Sequence, residues 1–194
     1  ELKKLCSENP DQILAYETAG QLAEQHPEEF TEPASYWYDE AVKKNPSSAL
    51  AYIVRAGYYR RNKENNTAIS QLEEAEKQEL TKPEVCLRLA MEYINLNLYD
   101  KAETILDKVK EMSPDDQGLW QMLSQIALTS QSKEKISETA ESGLKALSAQ
   151  QWDFIPIATE MFIRAGEFSK AENYISQLKE KNFEPSNISY LEGL

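Results

Sequence analysis

Residues 83–116 read PEVCLRLAMEYINLNLYDKAETILDKVKEMSPDD. Apolar and small residues recur at spacings of three and four, first through Cys86, Leu89, Ala90 and Tyr93, then through Ala102 and Leu106. That is the period of helices burying one face each. The stretch is framed by helix-start signals. Thr81-Lys82-Pro83-Glu84 reads as a capping box with Pro in the first turn, and Ser113-Pro114-Asp115-Asp116 sets a cap, a Pro and two carboxylates at a positive helix end. Two helices of about 12 to 15 residues joined by a very short turn have to run antiparallel.

The pattern repeats on both sides. Units opening near Ile13, Ala49, Pro83, Gln117, Trp152 and Ser186 are spaced by 36, 34, 34, 35 and 34 residues. The fourth place of successive units holds Tyr16, Tyr52, Cys86, Trp120 and Ile155, and the eighth Gly20, Ala56, Ala90, Ser124 and Thr159. The eleventh place holds Ala23, Tyr59, Tyr93, Ala127 and Phe162. In the second helices stand Ala34, Ala68, Ala102, Ile136 and Ala171, each followed four residues later by Tyr38, Leu72, Leu106, Ala140 and Ile175. Small residues let paired helices approach, and the larger ones fill the groove between one pair and the next. Each unit buries its stripe only with a neighbour's help, so an all-α solenoid of about five helix pairs is expected over residues 1–194.

The pattern resembles the tetratricopeptide repeat, W-x2-L-G-x2-Y followed by A-x3-F and P. Residues 83–116 match best, with Leu89, Ala90, Tyr93, Ala102, Leu106 and Pro114 in register. Arg55 replaces an expected Leu, Gly143 falls inside a second helix, and the first unit carries two extra residues near His26-Pro27-Glu28-Glu29. The resemblance implies a right-handed superhelix of antiparallel helix pairs. Leu2 and Leu5 look like the tail of a second helix, and residues 186–194 look like an opening first helix. With no polar cap at either end and no initiator Met, the chain is expected to be a piece of a longer protein.

Composition narrows the function. With 21 Lys and Arg against 33 Asp and Glu the net charge is −12, a field that repels phosphate backbones and anionic membranes. No run approaches the roughly 18 apolar residues of a membrane span. Cys6 and Cys86 suggest no disulfide framework, and the reading leans to a soluble cytoplasmic chain without fixing the compartment. The single histidine, His26, lies in an acidic turn and supports neither a zinc cluster nor a triad. No catalytic residue, metal site or cofactor is expected, and acidic runs such as Glu73, Glu74 and Glu76 read as a solvated helix face.

The five arginines, Arg55, Arg60, Arg61, Arg88 and Arg164, all lie in first helices. The resemblance implies that first helices line a concave groove, where guanidinium forks recognise carboxylates. By the same carry-over the groove includes Ile53, Leu87, Met91, Ile94, Gln121, Met122, Gln125 and Ile157. A mixed apolar and Arg lining suits a protein or peptide partner with acidic and apolar residues, so the expected function is a non-catalytic interaction scaffold or adaptor. The bland alternative is that Arg60 and Arg61 complement a helix dipole and the apolar residues serve the core. The chaperone-tail carboxylate clamp of this family is disfavoured. Its Lys and Asn places hold Glu17, Gln21, Val54, Glu84 and Arg88, of which only Arg88 fits.

Two other functions stay in view. Residues 162–171, with 179–185 after them, also resemble a pentatricopeptide repeat, which implies single-stranded RNA binding, against the sign of the net charge. The remaining reading is a regulatory or spacer segment of a larger enzyme.

Overall fold

A computed structural model describes residues 2–148 and 151–194, and the described residues form helices and turns with no strand. In chain order the helices are α1 (Leu2–Glu8), α2 (Ile13–Gln25), α3 (Ala34–Lys44), α4 (Ala49–Arg61), α5 (Asn65–Glu76), α6 (Pro83–Asn95), α7 (Tyr99–Met112), α8 (Gln117–Thr129), α9 (Lys133–Ala146), α10 (Gln151–Ala165), α11 (Phe168–Glu180) and α12 (Pro185–Glu192). A short 3-10 turn, Pro27–Glu29, takes up part of the extra length between α2 and α3. First helices α2, α4, α6 and α8 begin at Ile13, Ala49, Pro83 and Gln117, whereas α10 and α12 begin one residue before Trp152 and Ser186.

The helix starts differ in part from the expected caps. Lys82, not Thr81, is the N-cap of α6 and makes no side-chain cap bond, so the capping box at Thr81 does not form. Pro83 in the first turn supplies a preset φ where no N–H is needed. Asp116 caps α8 by accepting from the Leu119 N–H at 3.0 Å, and the Ser132 hydroxyl accepts from the Lys135 N–H at 3.1 Å to cap α9.

Three of the reversals inside helix pairs share one device. Lys63 (φ 65°), Asn97 (φ 58°) and Gly166 (φ 83°) take the left-handed conformation just past α4, α6 and α10. The next residue then bonds back across the helix end: Glu64 N–H to Tyr59 O at 2.9 Å, Leu98 N–H to Tyr93 O at 2.9 Å, and Glu167 N–H to Phe162 O at 2.8 Å. These are Schellman-type closures that satisfy carbonyls a helix end would leave bare. Their acceptors are the aromatic residues of the eleventh place. Between α8 and α9 the chain instead runs extended at Ser130 (ψ 154°) and restarts at the Ser132 cap.

Packing divides the chain into two compact units, one up to Ile105 and one from Leu106. In the first, α2 packs on α3, α3 on α4, and α4 on α5 and α6, while α2 also touches α4. In the second, α8 packs on α9, α9 on α10, α10 on α11 and α11 on α12, and the first helices touch again as α8 with α10 and α10 with α12. This interlocking of neighbouring pairs is what makes the period hold.

The small residues mark the closest approaches. Ala56, Ala68, Ala90, Ala102, Ala140 and Thr159 are fully buried. A Cβ on Gly20 of α2 would come within 2.5 Å of the Tyr38 ring on α3. The departure at Gly143 has the same origin. A Cβ there would meet the Phe154 ring of α10 at 2.5 Å and Trp120 of α8 at 3.3 Å. Over two of the aromatic residues at the eleventh place lies a lysine from the second helix. Lys101 Nζ stands 5.3 Å from the Tyr93 ring centroid and bonds Glu73 of α5, and Lys170 Nζ stands 5.2 Å from the Phe162 centroid and bonds Glu141 of α9.

Candidate functional site

Within the first unit, α2, α4 and α6 carry Glu17, Ile53 and Leu87 at their fifth places and Gln21, Gly57 and Met91 at their ninth. Three arginines and three glutamates lace these helices together. Arg61 on α4 reaches Glu24 on α2 with two bonds, at 3.0 and 2.8 Å, and gives a third to the Tyr38 hydroxyl at 2.8 Å. Arg60 on α4 takes both oxygens of Glu92 on α6, at 2.7 and 3.4 Å. Arg88 on α6 reaches Glu17 on α2 with a single bond of 2.6 Å. Gly57 makes room for this, since a Cβ there would lie 3.3 Å from the Arg61 guanidinium and 3.4 Å from the Glu92 carboxylate.

The electrostatics of the Glu24 corner follow from these bonds. Burial pushes the Glu24 carboxyl upward, but the Arg61 guanidinium and the Tyr38 hydroxyl, which donates to Glu24 at 2.7 Å, together hold it below the ordinary carboxylate value. Burial and that same bond to Glu24 push the Tyr38 phenol far up, so it stays neutral.

The arginines were expected as open forks awaiting a partner. Each is instead engaged by an acid of its own chain: first-helix glutamates Glu24 for Arg61, Glu92 for Arg60, Glu17 for Arg88 and Glu160 for Arg164, and Asp39 of α3 for Arg55 at 3.2 Å. Arg55, also bonded to Gln71 at 2.9 Å, ties α4 to α3 and α5, which explains why a Leu is absent there. Two expected groove residues are core: Ile53 is 2% exposed and Ile94 3%. Leu87 is half-buried, and Met91 is exposed. The most exposed apolar side chain on these helices is one the sequence reading passed over, Leu14 of α2 at 54%.

In the second unit, Gln121 and Gln125 of α8 are exposed, and Met122 of α8 and Ile157 of α10 are half-buried. Arg164 is exposed and held at 2.9 Å by Glu160, one turn earlier on the same helix. His26, Glu28 and Glu29 bring ligand-capable atoms within 4.8 Å of one another, all on the surface of an exposed turn. Among the described residues no helix is long and apolar enough to cross a membrane.

Comparison with known proteins agrees with this architecture. Residues 59–126 match the family model of the tetratricopeptide repeat. No curated protein sequence matches the chain. Among solved structures, the chain is similar to YrrB, described as a tetratricopeptide repeat protein with an unusual peptide-binding site, at 17% identity and a TM-score of 0.62 over 100% of this chain and 98% of that one. It is also similar to PilW, a type IV pilus biogenesis factor, at 12% identity and a TM-score of 0.69 over 98% of this chain and 87% of that one. Pseudomonas aeruginosa pilF gives 18% identity and a TM-score of 0.63 over 92% and 80%. Residues 59–126 thus carry the tetratricopeptide repeat, and the fold is the all-α arrangement of helix pairs that these tetratricopeptide repeat structures share.

Proposed function

We propose that the chain is a non-catalytic scaffold that holds a partner peptide or helix against its first-helix face. The observation that carries this reading is Arg88. It spends one donor on Glu17 and keeps the rest of its fork open, beside half-buried Leu87 and exposed Met91 on α6 and exposed Leu14 on α2. A carboxylate flanked by apolar side chains suits such a surface, the apolar contacts giving affinity and the charge giving orientation and on-rate. The segment that opens with α4, between α2 and α6, is less acidic than the chain as a whole. Residues 49–82 carry six basic and five acidic side chains, against four and ten in residues 1–48. The fold similarity to a protein described as peptide-binding supports the same reading.

The test is capture of partners by the full protein and by the Leu87→Asp, Met91→Asp double variant, followed by calorimetric titration of whatever the parent recovers. The folded variant is expected to lose the partner. Equal binding would move the interaction to another face. A single-stranded RNA role finds less support, since Arg164 is already engaged and the net charge is −12.

A further inference from the structure

Glu17 and Arg88 are 71 residues apart and sit on first helices two units apart, yet their side chains meet at 2.6 Å. The bridge therefore crosses α4, which lies between α2 and α6 and contacts both. Ile53, the α4 residue in register with Glu17, is 2% exposed. Arg60 and Arg61 each present two donors to one carboxylate, the geometry a planar guanidinium favours. Arg88 presents one, and its side chain remains 38% exposed, whereas Glu17 is 17% exposed. The least satisfied fork on the face is thus partly open to solvent, with exposed Leu14 one turn before Glu17 and exposed Met91 one turn after Arg88 on the helix faces of the bridge.

We propose that Glu17 is a resident carboxylate that occupies Arg88 in the free protein, and that an acidic side chain of a bound peptide takes its place. This rests on the reading of the first-helix face as a peptide-binding surface and specifies how that surface is regulated. The occupant is a peptide carrying an acid between apolar side chains. Its carboxylate meets Arg88 as a fork, and its apolar side chains cover Leu14, Leu87 and Met91. Glu17 turns out to solvent as the peptide arrives. Because Arg88 is available only while Glu17 is away, the apparent affinity for an acidic peptide is reduced by the fraction of time the fork is free. The device selects against stray single carboxylates and favours partners whose apolar contacts add to the exchange.

The experiment titrates a dye-labelled peptide of alternating leucine and glutamate, and its counterpart with glutamine in place of glutamate, by fluorescence anisotropy. The proteins are the parent, Glu17→Gln, and Glu17→Gln with Arg88→Gln, each checked for helical content and melting. Glu17→Gln is expected to bind the acidic peptide about tenfold more tightly than the parent. The glutamine peptide should show no gain, and the double variant should lose the gain. Equal affinity of parent and Glu17→Gln, an equal gain for both peptides, or no binding of the acidic peptide by folded Glu17→Gln would each overturn the exchange. If Glu17→Gln gains nothing while Leu87→Asp, Met91→Asp still abolishes partner capture, the groove stands and the displacement alone falls.

Discussion

Gly143 of α9 and Phe154 of α10 approach so closely that one methyl group on the glycine would stand 2.5 Å from the ring. Phe154 is fully buried, and the buried Trp120 ring would stand 3.3 Å from the same methyl, so a displaced ring would press on packed neighbours. Alanine is favoured over glycine inside a helix by about 1 kcal/mol. Overpacking a tight core costs about 1 to 3 kcal/mol. Gly143→Ala is therefore expected to destabilise by about 1 kcal/mol despite the better propensity. Chemical denaturation with helical content as readout checks this, and a midpoint at or above the parent's would remove the close-contact explanation.

Lys63 holds φ 65°, a conformation that glycine adopts freely and that costs other residues roughly 1 kcal/mol. Lys63→Gly should raise the melting temperature, with a gain of about 0.5 to 1 kcal/mol. Gly166→Ala at φ 83° should lower it by a similar amount. Opposite signs for a pair of changes at equivalent turns are the signature. If both lower stability, side-chain contacts and not backbone conformation govern these reversals.

Ala102 is fully buried on α7 at the twentieth place of its unit. Ala102→Glu would place an unpaired carboxylate in that core and should destabilise by on the order of 3 kcal/mol or more. Unchanged melting would show that the repeat register assigned to α7 is wrong.

The Glu24 carboxyl, held below its ordinary value of 4.5 by Arg61 and Tyr38, stabilises the folded state wherever it is charged. That contribution is fully present above the unfolded value and is lost as the pH falls through the lower folded one. Melting followed from about pH 6 to about pH 3 should therefore decline more steeply for the parent than for Glu24→Gln, which has no proton to take up at that site. Parallel curves would mean that the Glu24 corner contributes nothing to acid sensitivity.

The fold was legible because its signal is local and repeated. Small residues recur at the eighth place of every unit and aromatic ones at the eleventh place of three, and positions such as Ala56, Ala90 and Tyr93 are fully buried. The capping box at Thr81 was misplaced because a Pro in the first turn starts α6 from Lys82 without a side-chain cap. The candidate site was only half legible. That arginines gather in first helices could be read from the chain, but their partners could not. Glu17 and Arg88 are 71 residues apart and Arg61 and Glu24 are 37, so each pair exists only once α2, α4 and α6 lie side by side. Ile53 and Ile94 belong to the groove by repeat position and are core in the fold.

The helix reversals after α4, α6 and α10 have a consequence for how the chain reaches its structure. Each is closed by a backbone bond between residues five apart, Tyr59 with Glu64, Tyr93 with Leu98 and Phe162 with Glu167. Loop closure over so short a span takes little search, and a hairpin of two helices can nucleate before any distant segment arrives. Folding can then begin at whichever hairpin forms first and spread to its neighbours. On this route a change at one reversal is expected to slow refolding without blocking it, since the αL turns at Lys63, Asn97 and Gly166 offer separate starting points.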